Sequence, residues 1–234
     1  MISKVVAFGD SWTYGDELFS KESLASGLSI DDAKNDSYRL GHVFGGVVAK
    51  HYGLEFDNRG HNAASLQSMI WKFENWLTTD PDANQSIVLF GLTSPGRVSW
   101  WKNSHTHIHS IQLENNRNLS KEFYDLNKYY RVCCSDRELI RMNYFTAAHL
   151  FSGMCYKLKI PCVLFNIFHC NFSNVPYADV LNPQRGLAEI LTEMNRDQNL
   201  CIWGVNHPNE IGHQLIAEYL IQHIDQKKLL VHSN

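Results

Sequence analysis

A chain of 234 residues with 44% hydrophobic, 12% aromatic and 19% charged residues has globular composition, which excludes a disordered, collagen-like or low-complexity protein. Lys and Arg number 21 against 24 Asp and Glu, a formal net charge of −3, so no basic face for nucleic acid is advertised. No apolar run approaches the ~18–20 residues of a membrane span, and Met1-Ile2-Ser3-Lys4-Val5-Val6 lacks the apolar stretch of a signal peptide. The expected setting is therefore cytoplasmic, with neither membrane nor nucleic acid as a partner. Six cysteines without a CxxC pair read as buried free thiols of a reducing compartment rather than as a zinc site.

In chain order, Lys4 to Phe8 is a short apolar strand. Ser37 to His51 reads as a helix with Leu40, Phe44, Val47 and Val48 on one face, and Leu54 to Phe56 as a second strand. From Ala63 to Leu77 the apolar residues Leu66, Met69, Ile70, Phe73, Trp76 and Leu77 recur at helical spacing. Ile87 to Phe90 is a continuous run suited to a strand buried on both faces. Ser135 and Glu138 form a capping box for a helix running to about Leu158, and Pro161 precedes a fourth strand, Cys162 to Phe168. Pro183 to Asn195 is predicted helical and Leu200 to Trp203 a fifth strand. Pro208 is expected to open a last helix with Ile211, Leu215, Ile216, Tyr219 and Leu220 inward.

Strand and helix thus alternate about five times. That predicts an α/β fold, a three-layer α/β/α sandwich around a five-stranded parallel sheet, with ligands beyond the carboxyl ends of the strands. No internal repeat or linker divides the chain, so 1–234 reads as one domain. Only the segment at about 98–134 departs from the alternation, and it reads as an insertion over the site.

Four short segments stand at strand ends or helix starts. They are Gly9-Asp10-Ser11-Trp12-Thr13-Tyr14-Gly15, Asn58-Arg59-Gly60, Gly91-Leu92-Thr93-Ser94 and His207-Pro208-Asn209-Glu210-Ile211-Gly212-His213. This order resembles the SGNH (GDSL) hydrolase family, and the resemblance spans Gly9 to His213. A Gly-Asp-Ser turn near the amino terminus is followed 196 residues later by a histidine-proline turn. The wording GDSWTYGDE and HPNEIGH is similar to members encoded by tailed phages, which would allow association with a virion. The resemblance implies a flavodoxin-like strand order of 2-1-3-4-5. It implies Ser11 as nucleophile, His207 as base and then acid, and the backbone N–H groups of Ser11 and Gly60 as oxyanion donors.

Two positions depart from the family pattern. Thr93 stands where the family places an oxyanion asparagine, leaving its hydroxyl, or that of Ser94, to donate. Gly204 stands where the family places an aspartate three residues before the histidine. The imidazole must then be oriented by a backbone carbonyl or by an acid elsewhere, such as Asp197.

Asp10 reads as a structural residue of the turn, Asp16 as a cap or turn residue, and His213 as a packing or capping residue. Arg97 and Trp100 are candidate substrate contacts, Arg97 for an acidic group and Trp100, with Trp101, for a sugar face. His105, His107 and His109 alternate in a chain of 12 histidines and read as part of a polar insertion rather than as metal ligands. No metal or organic cofactor is expected. The expected activity is hydrolysis of a short acyl ester, acetate foremost, on a carbohydrate or other small molecule. The alternative is a weakly active or inactive module of the same fold that binds glycan or serves a structural role.

Overall fold

The computed structural model describes residues 1–29, 32–95, 97, 99–103, 106–109, 125, 137–168, 175, 179–182, 184–198, 201–202 and 207–230. Strand β1 (Lys4–Phe8) leads into a one-turn helix α1 (Ser11–Tyr14), then α2 (Lys21–Ala25), α3 (Ala33–His42), α4 (Phe44–Tyr52) and β2 (Glu55–Asn58). There follow α5 (Leu66–Thr79), a 3-10 turn at Ala83–Gln85, β3 (Ser86–Leu92), β4 (Ser99–Asn103), β5 (Thr106–His109) and α6 (Arg137–Lys157). The chain continues through β6 (Cys162–Asn166), β7 (Asp179–Leu181), α7 (Leu187–Gln198), β8 (Cys201–Ile202), β9 (His207–Pro208) and α8 (Glu210–Lys227).

Five strands form one parallel sheet in the order β2-β1-β3-β6-β7, which is the 2-1-3-4-5 arrangement. Side chains alternate across it, as the period of two requires. Val5, Ala7, Ile87, Leu89, Val163 and Phe165 pack against α4, α7 and α8 on one face. Val6, Phe8, Val88, Phe90 and Leu164 pack against α5 and α6 on the other. That second core is aromatic: Phe90 stacks on Phe151 with centroids 4.3 Å apart and takes Phe73 edge-on at 5.0 Å. The expected three layers are present, and the carboxyl ends of β1, β2 and β3 finish side by side.

Several elements depart from expectation for identifiable reasons. The helix expected over Ser37–His51 is two, α3 and α4, divided at Val43, whose φ of −67° and ψ of 145° are extended. A Cβ at Gly46 would collide with the Leu40 carbonyl, so this close turn needs glycine. Helix α5 starts at Leu66 rather than Ala63, because Ala63 is left-handed (φ 57°) and Ser65 caps the helix by accepting from Ser68 N–H. Strand β6 ends at Asn166, short of Phe168, and α7 begins at Leu187 rather than Pro183.

The fifth place in the sheet belongs to β7, not to the run expected at Leu200–Trp203. Cys201–Ile202 instead pairs antiparallel with His207–Pro208 as a separate ladder. Pro208 accordingly lies in β9, and α8 starts at Glu210 with Asn209 as N-cap, its side chain 3.0 Å from Gly212 N. Its buried stripe runs through His213, Ile216, Ala217, Leu220 and Ile224, which leaves Ile211 57% exposed instead of inward. Within the expected insertion, β4 and β5 form an antiparallel hairpin apart from the main sheet. Ser135 of the expected capping box lies outside the described residues.

Candidate active site

The Gly-Asp-Ser segment leaves β1 and turns at once into α1. Asp10 is its N-cap: Oδ1 accepts from Trp12 N–H at 3.1 Å, while Tyr14 N–H reaches the Asp10 carbonyl at 2.8 Å. The other carboxylate oxygen of this fully buried residue accepts from Thr93 Oγ1 at 2.8 Å and from Arg97 Nη1 at 2.6 Å. Arg97 Nη1 also donates to Thr93 Oγ1 at 2.8 Å, and its guanidinium lies 5.2 Å above the Phe168 ring. A buried carboxylate needs such partners, since burial without them would cost several kcal/mol.

This network revises two of the expected roles. The Thr93 hydroxyl spends its proton on Asp10 and has none left for an oxyanion. Arg97 is turned onto Asp10 and Thr93, with a side chain 13% exposed, rather than toward a substrate acid. Both hold the turn that carries Ser11. Trp100 stands on β4 opposite Ile108, in the hairpin that also carries His107 and His109; His105 lies outside the described residues.

Three glycines close around the residue that follows. A Cβ at Gly9 or Gly91 would run into the Thr13 hydroxyl, and one at Gly60 would lie 2.7 Å from Tyr14 N and 3.0 Å from Thr13 Cβ. The glycines ending β1 and β3 and following β2 thus let α1 sit directly on the sheet's carboxyl edge. Asn58, a residue to which sequence reasoning gave no role, holds α1 from below. Its Nδ2 donates to the Thr13 and Tyr14 carbonyls at 3.0 and 3.2 Å, and its Oδ1 accepts from Gly60 N–H at 3.0 Å. Arg39 donates to the same Tyr14 carbonyl at 2.6 Å and lies 3.9 Å over the Tyr14 ring. The unsatisfied carbonyls of a one-turn helix are what draw both residues there.

The structure brings Ser11 and His207 together: Oγ lies 2.8 Å from Nε2. The short β8–β9 ladder carries the histidine to the serine from the far end of the chain. Ser11 is 5% exposed, and its N–H has no partner among the described residues. His207 Nδ1 is buried and also lacks a partner among the described residues. Gly204 lies outside them, and so does the side chain of Asp197 on α7.

The residues following α1 turn back toward the histidine. Gly15 is left-handed at φ 84°, Asp16 N–H donates to the Ser11 carbonyl at 2.9 Å, and Glu17 is also left-handed at φ 69°. Donor atoms of Asp16, Glu17 and His207 all fall within 4.8 Å of one another. Glu17 also borders a cavity of about 300 Å³ lined by Leu18, Phe19, Asn209, Glu210 and Ile211.

Behind His207, the fully buried His213 accepts at Nδ1 from Phe44 N–H at 3.4 Å, so α8 caps α4, whose N-cap Val43 has no side chain able to do so. Burial, and secondarily repulsion by His207, push the His213 pKa down to about 3. It packs and caps, as the sequence suggested, and stays neutral.

No family model matches the chain, and no curated protein matches it. Solved structures do. A lipolytic G-D-S-L family protein from Veillonella parvula is 15% identical with a TM-score of 0.52, covering 94% of this chain and 97% of its own. An α/β hydrolase enzyme from the metagenome of Lake Arreo is 14% identical, with a TM-score of 0.54 and 95% of each chain covered. The psychrotrophic esterase EstA of a Pseudoalteromonas species is 9% identical, with a TM-score of 0.51 and coverage of 96% and 97%. The sheet order, the carboxyl-edge serine turn and these likenesses agree: the chain has the fold of the SGNH (GDSL) lipolytic proteins and esterases.

Proposed function

We propose that this protein is a serine ester hydrolase in which Ser11 is the nucleophile and His207 its base. The observation that carries the reading is the 2.8 Å contact between Ser11 Oγ and His207 Nε2, joining residues 196 apart in sequence. The fold it shares with lipolytic proteins and an esterase supports the same chemistry. Ser11 Oγ attacks the ester carbonyl carbon as its proton passes to His207 Nε2. The tetrahedral intermediate collapses, the C–O bond to the alcohol breaks, and the alcohol leaves with that proton. Water then attacks the acyl-serine by the same route, releasing the carboxylic acid and restoring the Ser11 hydroxyl. The oxyanion is held by the Ser11 N–H, and the Gly60 N–H joins it by turning from Asn58 Oδ1, to which it donates at rest.

The substrate we propose is a short acyl ester, acetate foremost, of a carbohydrate or similar polyol. Its support is the cavity bordered by Glu17, which also approaches His207, where Glu17, Asn209 and Glu210 offer acceptors for hydroxyl groups and Phe19 offers a ring. Ser11→Ala is expected to lower turnover of p-nitrophenyl acetate at least ~10³-fold without moving the melting temperature. Wild-type rates in that variant would overturn the assignment.

A second reading, a glycan-binding or structural module with little activity, draws on one observation: the Thr93 hydroxyl and the Gly60 N–H are both already engaged. Treatment with an organophosphate separates the two readings. An activated Ser11 gains the mass of the label, whereas an idle one does not.

A further inference from the structure

Resting on the hydrolase reading above, we propose that the carboxylates of Asp16 and Glu17 support His207 during the reaction through their charge, without a hydrogen bond to its Nδ1. The two side chains and the imidazole have donor atoms within 4.8 Å of one another. Neither carboxylate forms an ion pair among the described residues. Of the other ionisable groups of the packed elements, two are committed or neutral and one is an exposed carboxylate. Asp10 is paired with Arg97, Glu210 is exposed at the start of α8, and His213 is buried and uncharged.

The loop is built to hold this position. Asp16 N–H is bonded to the carbonyl of the nucleophile itself, and Leu18, 2% exposed, anchors the next residue but one. Between them Glu17 adopts a left-handed φ of 69° that a non-glycine residue takes only against a steric cost. Residues held in such conformations concentrate at functional sites. When the Ser11 proton reaches Nε2, the imidazolium carries a full positive charge in a half-buried site, and two nearby carboxylates oppose it without taking the proton. When the proton leaves with the alcohol, the imidazole is neutral again.

Asp16 and Glu17 are positioning residues in this scheme, and the test separates charge from shape. Steady-state hydrolysis of p-nitrophenyl acetate is measured for Asp16→Asn, Glu17→Gln, the double variant, and the charge-retaining Asp16→Glu and Glu17→Asp. The neutral double variant is expected to lose ~10–100-fold in kcat with KM within about twofold, while the charge-retaining variants stay within about threefold of wild type. A double variant with wild-type kcat, or equal losses in the charge-retaining variants, overturns the assignment. Should the double variant fail to fold, the two neutral single variants decide by the same criterion. A wild-type chain that neither turns over ester nor accepts organophosphate at Ser11 overturns the hydrolase reading beneath it, and this assignment with it.

Discussion

Asp10 shows how one buried charge organises the site. Its carboxylate accepts from the Trp12 backbone, the Thr93 hydroxyl and the Arg97 guanidinium, which ties the ends of β1 and β3 together beneath Ser11. Removing one partner of a buried pair costs about 3–5 kcal/mol, because the other charge remains in low dielectric. Arg97→Met keeps the stem over Phe168 but strips the charge, and should therefore lower the melting temperature by roughly 6–20 °C. Thermal unfolding checks this, and a shift under 2 °C would show that Asp10 finds compensation elsewhere. At this scale the pairing of Ser11 with His207 was legible, because the Gly-Asp-Ser and His-Pro segments that resemble the family point to it. The engagement of Thr93 and Arg97 was not, since a side chain's hydrogen-bond partner is a matter of distance and not of spacing. Asn58 stood in a segment already singled out, yet nothing local reveals that its carboxamide reaches under α1.

Among the elements, α4 and α8 share a junction whose chemistry depends on protonation. His213 accepts the Phe44 N–H only while neutral, and burial holds its pKa near 3, against 6.5 for a free histidine. Above pH 6.5 neither state binds the proton, so the group leaves stability unchanged. Between 6.5 and 3 the unfolded chain binds a proton the folded one refuses, and stability falls as pH drops, by up to about 1.4 kcal/mol per unit. His213→Asn retains an acceptor for Phe44 but does not titrate. Its denaturation midpoint should therefore approach that of wild type as pH falls from 6.5 to 4, despite a cost at neutral pH of ~1–3 kcal/mol for lost packing. Parallel curves would refute the link. Strands β1, β3 and β6 were legible as elements because central parallel strands must be apolar on both faces. Strand β7 was not: at three residues on the sheet edge, Asp179-Val180-Leu181 carries too little pattern to announce itself.

Taken whole, the molecule is acidic, and on the proposed reading the alcohol of the ester occupies the cavity that Glu17 borders. Glu17 and Glu210 line that cavity, and the chain carries a net charge of −3. Esters of neutral polyols should consequently be hydrolysed more efficiently than esters of anionic alcohols of equal size, by about tenfold in kcat/KM at low ionic strength. The gap should narrow in ~0.5 M salt, where the Debye length is only a few ångströms. A preference for the anionic ester would exclude this cavity as the alcohol site. Among the described residues no helix is long and apolar enough to cross a membrane.

The alternation of apolar runs and amphipathic stretches was enough to specify a parallel sheet between two helical layers, because burial on two faces leaves a periodic mark along the chain. The glycines and the serine at the strand ends were legible for a similar reason, as a tight turn restricts residue type locally. The capture of Thr93 and Arg97 by Asp10 and the approach of Asp16 and Glu17 to the imidazole were decided by the tertiary structure alone. Each depends on contacts between segments joined only through the folded core, and such distances leave no trace in linear order.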